Sequence, residues 1–122
     1  MKVDRVKISS IQDFASPSGV GEKVVAVERA KEGVFDAKLL ASSASRTPMN
    51  EKFPAYDLEY NVESQRGNNH FVVKTSVIDQ KLYVFTVQCR EEDFPLLKDE
   101  MLTVLDSVAV APVVTMDYNS RS

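Results

Sequence analysis

The clearest pattern in the chain is YDLEYNVE, residues 56–63, where apolar and polar side chains alternate with a period of two. Tyr56, Leu58, Tyr60 and Val62 share one side of the strand this predicts; Asp57, Glu59, Asn61 and Glu63 share the other. A shorter alternation over 3–8, VDRVKI, predicts a second half-buried strand. Two runs rich in β-branched and aromatic residues, 70–78 and 81–90, flank the two-residue break Asp79-Gln80 and read as a hairpin. Residues 34–46, VFDAKLLASSASR, form a further predicted strand that passes into small polar residues.

Two segments carry helical spacing instead. In GEKVVAVERAKEG, Val24, Val27 and Ala30 fall on one face, and Gly33 supplies a stop. Ser16-Pro17 offers a cap and a first-turn proline, while Gly19 and Gly21 weaken that turn and predict a start near Val20. In FPLLKDEMLTVLDSV, residues 94–108, Phe94, Leu97, Met101, Val104, Leu105 and Val108 make an apolar stripe, with Lys98, Asp99, Glu100 and Asp106 outward. TPMNEKFPA and SQRGNN are connections. The order is strand, helix, strand, three-stranded meander, helix, which predicts one α+β domain over 1–108 and a flexible tail over 109–122.

Composition narrows the function classes. At 122 residues, 43% apolar and 27% charged, the chain suits a single globular unit. Fifteen basic against eighteen acidic residues, with no dense Lys/Arg run, argue against a nucleic-acid surface. No apolar stretch reaches the ~20 residues of a transmembrane span. The opening MKVDRVKISS has neither a signal-peptide core nor transit-peptide character, so no targeting segment is read in this chain. Cys89 is the sole cysteine and has no intrachain disulfide partner.

Candidate chemistry collects at the open end of the hairpin. With a two-residue turn, Ile78 pairs with Lys81 and His70 lies opposite Cys89. Glu91, two residues on, points to the same face. Directly opposed residues have Cβ atoms about 4.5–5.5 Å apart, so His70, Cys89 and Glu91 share one rim unless the register slips. Zinc suits all three together, manganese suits His and carboxylate, and calcium prefers oxygens. The competing reading is a histidine hydrogen-bonded to an acid beside a half-buried cysteine. An enzyme is disfavoured, because no phosphate loop, nucleophile elbow or Cys-x-x-Cys accompanies the Cys-His pair.

Residues 3–108 resemble the PsbP family of photosystem II extrinsic subunits and their lumenal relatives. The resemblance rests on His70, the turn region Asp79, Lys81, Leu82 and Tyr83, then Gln88 and Phe94. Upstream, YDLEYNVES and SSIQDFASPSGVGEKVV contribute to it. It implies an α-β-α sandwich on an antiparallel sheet (PsbP/Mog-like), a chloroplast thylakoid-lumen location and no catalysis. It also implies peripheral association with photosystem II lumenal subunits or assembly intermediates, in support of the oxygen-evolving complex. A divalent-ion position (Ca, Mn or Zn) falls by ungapped spacing on His70 and Glu91, with Cys89 a third candidate ligand. Departures from the family pattern are Glu91 for Asp, Gln80 for the turn Gly and Phe94 for Trp. The first strand or strands are also missing, which would leave a sheet edge exposed. The alternatives are a Mog-type GTPase-binding module and a metal-dependent enzyme built on His70, Cys89 and Glu91.

Overall fold

The computed structural model describes residues 2–47, 53–107 and 116–117. Strands β1 (Lys2–Arg5), β2 (Val34–Arg46), β3 (Pro54–Ser64), β4 (Gly67–Ile78), β5 (Lys81–Arg90) and β6 (Met116–Asp117) form one sheet. Helix α1 (Pro17–Arg29) precedes β2, and helix α2 (Phe94–Asp106) follows β5. The strand order is β1-β5-β4-β3-β2, antiparallel throughout, with the two-residue β6 running parallel to β5. The predicted strand at 34–46 therefore joins the meander, which has four strands rather than three. The flexible tail expected over 109–122 lies outside the described residues, except for the β6 pair. Val108 is outside them too.

Period-two alternation assigns each strand residue to one of two covers. Tyr56, Leu58, Tyr60, Val62, Val73 and Val77 face α1 and pack with Ile11 and Val25. On the other face Val72, Phe85, Val87 and Cys89 pack against Phe94, Met101 and Leu105 of α2. Two helices on opposite faces of one sheet make the expected sandwich. Among the described residues, the eighteen buried core side chains divide between these two clusters with Ala55 and Ile78 beside them. Each large one contributes about 1.5–3 kcal/mol.

The helices differ in detail from expectation. α1 begins at Pro17, not near Val20, because the Ser16 hydroxyl accepts the Gly19 amide at 3.1 Å and proline fits the first position. Its buried face is Gly21 and Val25 with Val24 and Glu28 half-buried; Val27 is 61% exposed and Ala30 is exposed. Gly21 lies close against β2: a Cβ there would sit 2.8 Å from both methyls of Leu39, so a larger residue would require the Leu39 side chain to move. Gly33, at φ +84°, lies in the turn into β2, beyond the Ala30 cap. The first strand stops at Arg5, ahead of the Ser10–Asp13 capping box around a short 3-10 helix.

β2 is the outermost strand among the described residues on its side. It is thirteen residues long, and its register against β3 shifts at Phe35 and again at Leu40. Those two bulge positions carry exposed apolar side chains, 72% and 49% accessible.

The β4–β5 turn sets the pairing of the two strands it joins. Asp79 and Gln80 both take positive φ, 52° and 58°, which is the type I′ geometry. A glutamine in that region costs about 1–2 kcal/mol of steric strain that glycine avoids. Gln80→Gly is therefore expected to raise the unfolding free energy by about 1 kcal/mol, read as a higher urea midpoint with unchanged slope.

Candidate functional site

The pairing derived from the turn is the pairing observed. Ile78 opposes Lys81 and His70 opposes Cys89. β5 then ends, and Glu91 opens a 3-10 turn, Glu91–Asp93, that leads directly into α2. On the other flank of β4, Asn61 of β3 opposes His70 and Glu59 opposes Val72. Glu59 thus sits diagonally across from His70 on the same sheet face. That face is where β3 contributes its polar set, Asp57, Glu59 and Asn61.

His70 is the centre of this arrangement. It is 3% exposed, so both ring nitrogens need partners. Nδ1 lies 2.9 Å from each carboxylate oxygen of Glu91, and Nε2 lies 2.8 Å from Glu59 Oε2. Below, the ring stacks on Phe94 with centroids 3.5 Å apart and planes 13° from parallel. Asn61 donates from Nδ2 to Glu91 Oε1 at 2.6 Å and to the Asn68 side-chain oxygen. Carboxylates accept and do not donate, so a ring with hydrogen on both nitrogens satisfies both acids at once. The ring rests on the aromatic face of Phe94 with a carboxylate facing each nitrogen.

The three sequence candidates share one face but not one environment. His70 and Glu91 touch. Cys89 is 1% exposed and belongs to the apolar cluster under α2. The Glu59 and Glu91 side chains keep 27% and 35% of their surface in solvent, so ions reach them more easily than they reach the ring. Among the described residues, no group of three or more His, Cys, Asp and Glu side chains is arranged to hold a metal ion. Either ring nitrogen offers a nitrogen-plus-carboxylate pair, Nδ1 with Glu91 or Nε2 with Glu59. The two pairs lie on opposite sides of the ring, so one ion cannot take both. A divalent ion here would replace a hydrogen on one nitrogen and complete its shell with water.

Other polar groups nearby were not singled out by the sequence. Lys74, further along β4, is 4% exposed and donates to Asp57 Oδ1 at 2.7 Å and to the Ser45 hydroxyl at 3.1 Å. Asp106, in the last turn of α2, stands 4.0 Å from its ammonium. Glu59 and Asn61 were assigned only to the polar side of their strand. The SQRGNN connection did not fix the register of β3 against β4, which is what brings them to His70. A polar cleft of about 600 Å³ opens beside the cluster, between Arg66, Asn68, Arg90, Glu91 and Glu92.

Comparison with known proteins gives three findings. The PsbP family profile matches residues 1–110. The chain is 30% identical over 86 residues to PsbP domain-containing protein 2, chloroplastic, of Arabidopsis thaliana, spanning 70% of this chain and 36% of that protein. The solution structure of cyanobacterial PsbP (CyanoP) from Synechocystis sp. PCC 6803 superposes with a TM-score of 0.72 at 21% identity. It covers 89% of this chain and 64% of that one, and the likeness is one of fold.

Each acid around the ring makes a charge-assisted bond in a partly solvated place. Glu59→Gln and Glu91→Gln are each expected to lower stability by about 1–2 kcal/mol. The double variant should lose less than the two single losses combined, because both acids act through one ring. Urea unfolding of the three variants beside the parent checks this.

Proposed function

The chain belongs to the PsbP family, and on that premise we propose that it is a non-catalytic extrinsic or auxiliary protein of photosystem II. In this reading it works at the lumenal face of the thylakoid membrane of a chloroplast, supporting the oxygen-evolving complex or photosystem assembly. The observation that carries the reading is the family match across residues 1–110, supported by the shared sandwich fold. Among the described residues, no helix is long and apolar enough to cross a membrane, which is compatible with a peripheral attachment. The chain spans 36% of its chloroplastic relative and 64% of the solved chain. The surface through which it docks therefore belongs to the proposal.

The disposition of the Cys-His pair supports a binding role over catalysis. A nucleophilic cysteine needs access to substrate and an imidazole with a nitrogen free to take its proton. Here the thiol is packed into the α2 core, and both imidazole nitrogens are held by carboxylates. This is the hydrogen-bonding arrangement of a structural clamp.

Ion handling is the second reading, favoured by the 2.9 Å approach of His70 Nδ1 to Glu91. The ring nitrogen and carboxylate would hold a divalent cation, with manganese or zinc suited to the nitrogen and calcium confined to the oxygens.

Two measurements test these readings. The protein carrying an affinity tag, mixed with photosystem II membranes, is expected to co-sediment with the photosystem or an assembly intermediate. Recovery only in the supernatant, or only with a Ran-type GTPase as a Mog-like module would be, would sink the first. Calorimetric titration with manganese, zinc and calcium is expected to give saturable binding that His70→Ala and Glu91→Gln each weaken at least tenfold. Equal heats from parent and variants would leave the cluster purely structural.

A further inference from the structure

The sheet face opposite the His70 cluster holds a cavity of about 340 Å³ between α1 and the strands. Its walls are mostly apolar, with Ile11, Val20, Val24, Leu58, Val73 and Leu82 among them, and Lys23, Glu28 and Thr75 also line it. That volume lies at the small end of the roughly 300–1,000 Å³ range of small-molecule pockets. Phe14 and Val27, which also line it, keep 43% and 61% of their surface exposed.

One hydroxyl in this lining opens onto the cavity instead of being sealed in the core, since no sealed side-chain oxygen or nitrogen among the described residues lacks a partner. Tyr60 is 4% exposed, its ring stacked on Phe71 with centroids 4.9 Å apart. Tyr56, four residues back on the same strand face, donates its hydroxyl to the Ala15 carbonyl at 2.6 Å. The Tyr60 hydroxyl makes no such bond among the described residues. Buried tyrosines ordinarily find a partner for the O–H. Burial, with a smaller push from Glu28, holds the Tyr60 phenol far above its ordinary range, so the group is a neutral donor. Glu28 itself is engaged by Lys31 at 3.0 Å.

We propose that this cavity binds an uncharged, largely apolar small molecule whose carbonyl oxygen accepts a hydrogen bond from Tyr60. The chemistry follows from the lining. The two charged groups of the lining are engaged elsewhere, Glu28 by Lys31 and the exposed Lys23 over the Phe14 ring, and an ion moving past them would lose its hydration among valine and leucine side chains. A neutral ring or short chain gains from the apolar walls. One acceptor oxygen is all that the Tyr60 donor requires.

The test is a nitrogen-15 NMR titration of the 122-residue chain with α-tetralone and with tetralin, the same bicycle without the oxygen. Saturable shifts are expected at amides of Val24, Leu58, Val73 and Leu82, with the ketone binding about fivefold more tightly, the worth of one modest hydrogen bond. Tyr60→Phe removes only the oxygen. It should bring the ketone down to the hydrocarbon's affinity and leave the hydrocarbon unchanged. Three outcomes would overturn the proposal: no saturable shifts at these amides, shifts centred elsewhere, or a ketone preference that survives in Tyr60→Phe. Nuclear Overhauser contacts from the cavity walls to another stretch of the chain, or to a second copy, would assign the space to polypeptide and overturn it too.

Discussion

A buried imidazole held between two carboxylates ties the sheet to the start of its closing helix. Glu59 belongs to β3, His70 to β4, and Glu91 to the turn that leaves β5, while Phe94 beneath the ring is the first residue of α2. The ring can serve all of them only while three strands keep one register. A one-residue slip in any of them would turn a partner to the opposite face. Such a clamp adds little net stability once desolvation is set against it, whereas removing one of its partners is costly.

Lys74 repeats the device further along the same strand. Its ammonium, withdrawn from water, is held by Asp57 of β3 and Ser45 of β2, with Asp106 of α2 close by. The two faces of the sheet are thus built on different principles. The α1 face is closed by tyrosine, leucine and valine. The α2 face is apolar beneath the helix and ionic towards β3 and β2. The same polar half of the sheet opens on the cleft beside Glu91.

Much of this was legible in the sequence, for identifiable reasons. The period of two in 56–63 fixed which side chains of β3 are core, and the Asp79-Gln80 break fixed the β4–β5 register and with it the meeting of His70 and Glu91. Local chemistry sufficed in both cases. The β3–β4 register was not legible, because Ser64–Asn69 admits several turns. Glu59 therefore remained one acid on a polar face rather than the second partner of His70. The phase of α1 was hidden as well. It brings Gly21 against Leu39 and buries Val25 rather than Val27, through contacts between residues far apart in the chain. Lys74 had no reading in the sequence, and its surroundings from three elements explain its burial.

The irregularities of β2 carry a different consequence. A strand of thirteen residues, outermost on its side among the described residues, would otherwise offer a long, even row of amide and carbonyl groups on which another copy could template. The shifts at Phe35 and Leu40 interrupt that row twice and coil the strand more tightly. What remains are short segments, poorly matched to the flat stacking of a fibril. Placing the two bulky apolar side chains at the interruptions leaves them scattered rather than aligned into a zipper. The strand can stay accessible to solvent without becoming a seed for aggregation.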